Sequence, residues 1–194
     1  MVRWVTVQLH GLRLCAKSLQ SGVSAWTWCA LGITLCVGLF SACSPSLNWR
    51  TVPAGRFTLL LPCKPDHAQR TVVLANQTMA MDMVGCEAAG AMFAVSHVRA
   101  PNAQALDATL ASWQVAALQQ MGAGQSQSSS AQTSGPHPLP MLLASAQGQD
   151  GSGQTLQARL AWVRDGLDLY HWALYAPKIQ EDMANPFFNE IQAP

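Results

Sequence analysis

Apolar and polar positions along the chain follow three regimes: one long apolar block, several stretches of period two, and one stretch of helical period. Residues 24–40, SAWTWCALGITLCVGLF, are almost wholly apolar and carry no charge. SPSLNWRTV at 44–52 reads as a tether. RFTLLLP at 56–62 predicts a strand ended by its proline, and QRTVVLA at 69–75 predicts a second, with Asn76-Gln77 as a turn. TMAMDMVGC at 78–86 alternates, placing Met79, Met81 and Met83 on one face and Ala80, Asp82 and Val84 on the other. EAAG at 87–90 turns the chain and AMFAVSHVRA at 91–100 returns it. Period-two patterning bounded by turn residues marks an antiparallel meander.

The period then changes. Leu106, Leu110, Trp113, Ala117 and Met121 recur at three- and four-residue steps, so 103–121 predicts an amphipathic helix. Asn102 or Asp107 can cap its start and Gly122 its end. GAGQSQSSSAQTSGPH at 122–137 is small, polar and low in complexity, which predicts a mobile loop. PMLLASAQG at 140–148 is a strand and DGSG at 150–153 a turn. TLQARLAWVR and LDLYHWALYA flank Asp165-Gly166, a hairpin signal. IQEDMANPFFNEI at 179–191 predicts a closing helix, broken or restarted near Pro186. The order of elements predicts an α+β fold: an antiparallel β-sheet, meander plus hairpin, packed by two helices.

Charge sharpens the division. Only 11% of the 194 residues are charged, against roughly a quarter in ordinary soluble domains. Residues 1–42 hold Arg3, Arg13 and Lys17 and no acid. The remainder keeps eight of the eleven bases against all ten acids, a balance near −2. It has no basic stripe, which argues against nucleic acid as a partner.

A positive opening, an apolar block and the small residues Ser41 and Ala42 compose an export signal. Phe40-Ser41-Ala42-Cys43 resembles the lipobox of bacterial lipoproteins. The family favours Leu where Phe40 stands. The resemblance implies diacylglyceryl transfer to the Cys43 thiol, cleavage before it, and acylation, commonly by palmitate, of the new amine. The thiolate is the nucleophile such an alkylation needs. Residues 1–42 are then a signal peptide, 43–52 a lipidated cysteine and tether, and 53–194 one periplasmic α+β domain. Ser44, not Asp, follows the cysteine, which in that family implies the outer membrane with the domain facing the periplasm. The alternative is an uncleaved inner-membrane signal anchor, since 24–42 is 19 residues long and about 20 suffice to span a bilayer. Two or more acyl chains hold a protein stably at the membrane.

Of the six cysteines, Cys15, Cys29 and Cys36 fall in the segment expected to be removed, and Cys43 is the lipid site. Cys63 and Cys86 remain, and an exported pair is expected to form a disulfide. No CxxC or HxxxH spacing points to a metal.

The strand ending in "LP", the meander, the long helix closed by glycine, the later strands and a last helix with "FF" are similar in order to the PsbP-like fold over about residues 53–192. That resemblance implies an α/β/α sandwich with a non-catalytic accessory or assembly role.

Individual residues add candidates. The Met79, Met81, Met83 stripe could bind Cu(I), as soft thioethers do, although methionine also fills cores. His97 and His171 lack a carboxylate at a recognisable spacing, and Ser96 lacks a surrounding G-x-S-x-G. Asp165 and Asp168 suit the chemistry of a turn. Trp162, Tyr170, Trp172 and Tyr175 on one hairpin could line a ligand groove, against the plainer reading of cross-strand packing. No phosphate loop, dinucleotide fingerprint or internal repeat appears, and no cofactor is implied.

The sequence therefore predicts a membrane-anchored envelope lipoprotein with a non-enzymatic binding or accessory role, its partners being the membrane, through the lipid, and an envelope protein. A periplasmic hydrolase is the alternative; it predicts a concave pocket holding His97 or His171 with an acid close by. Methionine-based copper handling is the other, and it predicts thioether sulfurs converging with a histidine.

Overall fold

A computed structural model of the chain describes residues 47–123, 125–189 and 191. The apolar block, the cleavage site and Cys43 lie outside them. Seven strands form one antiparallel sheet in the order β3-β4-β5-β9-β8-β7-β6. They are β3 (Asp66–Leu74), β4 (Gln77–Ala88), β5 (Ala91–Arg99), β6 (Gln125–Gln132), β7 (Pro140–Gln149), β8 (Thr155–Asp165) and β9 (Asp168–Ala176). A separate two-stranded hairpin, β1 (Arg50–Ala54) and β2 (Phe57–Leu61), precedes them. The helices are α1 (Ala103–Gln120) and α2 (Glu181–Asn189). The fold is α+β, mostly antiparallel sheet with two helices. No helix among the described residues is long and apolar enough to cross a membrane.

Strand alternation sends successive side chains to opposite faces of the sheet, and each face builds a core. On one, Leu106, Trp113 and Ala117 of α1 pack with Met81, Val98, Leu160, Trp162 and Leu169. On the other, β1, β2 and α2 cover the middle of the sheet: Phe57, Leu59, Leu61, Phe187 and Phe188 pack with Phe93, Trp172 and Leu174. Phe57 lies edge-on to Tyr170 and Trp172 at centroid distances of 4.7 and 5.2 Å. Cys63, just past β2, is bonded to Cys86 of β4, with Cα atoms 5.9 Å apart. This bond fastens the covering hairpin to the sheet beneath it.

The helix starts where its cap directs. Asn102 Oδ1 accepts from the Ala105 N–H at 2.9 Å, which satisfies one orphan donor of the first turn. Thr109, fully buried, donates its hydroxyl to the Ala105 carbonyl at 2.8 Å.

Three segments differ from the expectation. Arg50–Ala54, within the expected tether and just beyond it, is strand β1. Pro53 is tolerated in it because a two-stranded ribbon has an outer edge where a missing N–H costs no ladder bond. Gln125–Gln132, within the expected mobile loop 122–137, is strand β6, paired residue for residue with β7 from Gln125↔Gln147 to Gln132↔Pro140. Its described side chains are largely exposed, so no apolar alternation announces it; backbone pairing alone makes the strand. The last helix runs through Pro186 unbroken, because Met183, Ala184, Phe187 and Phe188 bury one stripe across it.

Candidate functional site

The hairpin and α2 cover the centre of their face and leave the β3–β4 end of the sheet open. There the β1–β2 turn, Pro53, Ala54 and Gly55, forms the wall of a cleft of about 500 Å³. That volume lies within the roughly 300–1,000 Å³ of small-molecule sites. Pairing register lays two side-chain rows across its floor. One runs His67, Val84, Val95; the other runs Gln69, Asp82, His97, Tyr170. The first is apolar in its middle and the second is polar throughout.

His97 is the centre of the polar row. Its Nε2 lies 2.8 Å from Asp168 Oδ1, and its Nδ1 faces Asp82 Oδ2 at 3.8 Å. Arg99 donates to the other Asp168 oxygen at 2.6 Å. The His97 ring stacks on Tyr170 with centroids 4.7 Å apart and planes 30° apart. Arg56 pairs with Asp165 at 2.6 Å, holding the hairpin turn to the sheet end. Asp82 accepts from Gln69 Nε2 at 2.7 Å, and its side chain is 61% exposed. Burial pushes the Tyr170 phenol above its ordinary range. The hydrogen bond from the Arg56 backbone opposes that shift, and Asp168 and Asp165 add to it.

Gly55 fixes the wall. Its φ is +61°, and a Cβ there would lie 2.7 Å from the Tyr170 hydroxyl oxygen. We expect Gly55→Ala to destabilise by about 1–2 kcal/mol through backbone strain and this contact. A denaturant titration that gave the wild-type midpoint would refute the close seating of the turn on Tyr170.

The four aromatic residues of the β8–β9 hairpin do not share a groove. Trp162 and Tyr175 pack on the α1 side, whereas Tyr170 and Trp172 face the β1–β2 hairpin. Strand alternation divides them. Of the four, Tyr170 lines the cleft and Trp172 is fully buried. The methionine stripe lies on the α1 side, with Met81 buried and Met79 and Met83 packed against that core. His171 is also on that side, stacked on Trp162 at 4.6 Å and edge-on to Trp113 at 5.4 Å. Ser96, the register partner of His171, points away from the cleft and contributes backbone to its floor. Asp82 and Asp168 flank His97, and no sequence spacing marks either as its partner. Among the described residues no group of three or more His, Cys, Asp or Glu is arranged to hold a metal ion.

No family model matches this chain, and no curated protein matches it. Among solved structures it is similar to a protein of unknown function from Pseudomonas aeruginosa, at 16% identity and a TM-score of 0.35, covering 66% of this chain and 82% of that one. So loose a likeness carries neither fold nor function across.

Proposed function

We propose that this protein is an envelope lipoprotein, anchored through acylated Cys43 at the outer membrane and facing the periplasm, with a non-enzymatic binding role exercised at the His97 cleft. The observation that carries the binding role is the floor of the cleft, an apolar row beside a polar row under the wall of the hairpin turn. Binding sites combine apolar surface with a few placed polar groups in this way. The Cys63–Cys86 bond supports an oxidising compartment. The element order supports kinship with the PsbP-like fold and its accessory roles.

A hydrolase is the second reading, favoured by the Asp168–His97 pair at 2.8 Å in a concave site. A general base needs one ring nitrogen turned toward substrate. Here each nitrogen faces a carboxylate, and the nearby Ser96 side chain is on the far side of the sheet. The geometry therefore suits holding a ligand better than activating one. Copper handling gains no support from a methionine stripe packed in the α1-side core.

Photo-crosslinking in cells tests the binding role. We expect a benzophenone side chain at Gln69, in the cleft, to yield a discrete adduct by mass spectrometry, and the same group at Gln104, exposed on α1, to yield none. Adducts at neither position, or the same adducts at both, would remove the cleft as the site.

A further inference from the structure

We propose that the cleft recognises an organic cation: a protonated amine or guanidinium carried on a compact apolar body. This inference rests on the binding role proposed above and names the class of ligand.

The charges of this face point to it. Asp165 is neutralised by Arg56, and Asp168 by Arg99 with His97 on its other oxygen. Asp82 differs. Among the described residues its contacts are the neutral amide of Gln69 at 2.7 Å and the His97 ring at 3.8 Å, the latter beyond hydrogen-bond length. It is an open carboxylate inside a concave site, with acceptor capacity to spare. His67, His97 and Tyr170 are the other titratable side chains lining the cleft, and none is hydrogen-bonded to Asp82.

The rest of the floor sets the body of the ligand. Val84 and Val95 lie one row from Asp82 and His97, flanked by the wall residues Pro53 and Ala54. Neighbouring strands are about 4.8 Å apart, so the part of the floor from β3 to β5 spans roughly 10 Å. A single ring with a short amine arm matches that span. An anion is disfavoured, because no lysine or arginine lines the cleft.

The test uses the full chain in detergent and three probes of one shape: 2-phenylethylamine, 2-phenylethanol and 3-phenylpropionate, titrated calorimetrically. We expect the amine to bind about threefold or more tightly than the alcohol and the carboxylate not to bind, the scale of one solvent-exposed ion pair. Asp82→Asn, at an exposed position that leaves the core untouched, removes that preference. Asp107→Asn, on α1, leaves it intact. Equal binding of amine and alcohol would overturn cation recognition while leaving a cleft that binds. An equal loss in both variants would reduce the effect to general surface charge and overturn it as well. Failure of all three probes overturns the ligand class, and the Gln69 adduct decides independently whether the cleft binds anything.

Discussion

Lowering the pH from 7.5 to 4 costs the folded domain about 3 kcal/mol through His171 alone. The residue is buried on the α1 side, and burial lowers its pKa from 6.5 to about 3. Its Nε2 has no hydrogen-bond partner among the described residues, and its ring is stacked on Trp162 with the planes 14° apart. The unfolded chain accepts a proton on this side chain near pH 6.5, whereas the folded chain accepts it only near 3. The unfolded state therefore binds more protons throughout that window. Stability from this residue is complete above about pH 6.5 and is lost as the pH falls toward 3. Carboxylates add their own dependence, so the difference between wild type and His171→Leu is what counts. Urea titrations across the window should show wild type losing about 3 kcal/mol relative to His171→Leu between pH 7.5 and pH 4. Parallel curves would show that the histidine is hydrated or paired instead.

Removing the disulfide has an effect of similar size and reaches the cleft. Cys63 and Cys86 are 23 residues apart, and closing such a loop stabilises by about 3 kcal/mol in the chain-entropy model. We expect the double variant Cys63→Ala, Cys86→Ala to lose about that much by denaturant unfolding. The loss is not spread evenly. The bond joins the end of the β1–β2 hairpin to β4, so its absence frees the element that walls the cleft. Hydrogen exchange should rise first in Val52–Leu61, with the sheet core β5–β9–β8 protected. Uniform acceleration across both layers would contradict that division.

Much of this architecture is legible in the sequence, because the sheet centre is built from period-two strands between Gly and Asn turns. The Asp165-Gly166 hairpin signal marks the β8–β9 turn, and Leu106, Trp113 and Ala117 mark the buried face of α1. The failures share a cause. Strands β1 and β6 are held by backbone pairing rather than by apolar alternation, and Pro53 and the Ser/Gln run of Gln125–Gln132 hide them. The site was legible in half. Asp82 sits opposite His97 once the β4–β5 turn is placed at Ala89-Gly90, where both residues have positive φ. Centring the turn one residue earlier loses the pair. Asp168 is 71 residues from His97 and meets it only because β9 inserts beside β5. No local pattern encodes that juxtaposition.

We propose that Cys43 holds this domain at a membrane surface outside the cytoplasm. Metabolic labelling of cells with an alkyne analogue of palmitate tests this most directly, comparing wild type with Cys43→Ala. We expect label on the wild-type protein, none on the variant, and a wild-type mass reduced by the loss of residues 1–42. An unlabelled protein that keeps its full-length mass would contradict the lipoprotein reading and make the segment at 24–42 an uncleaved anchor.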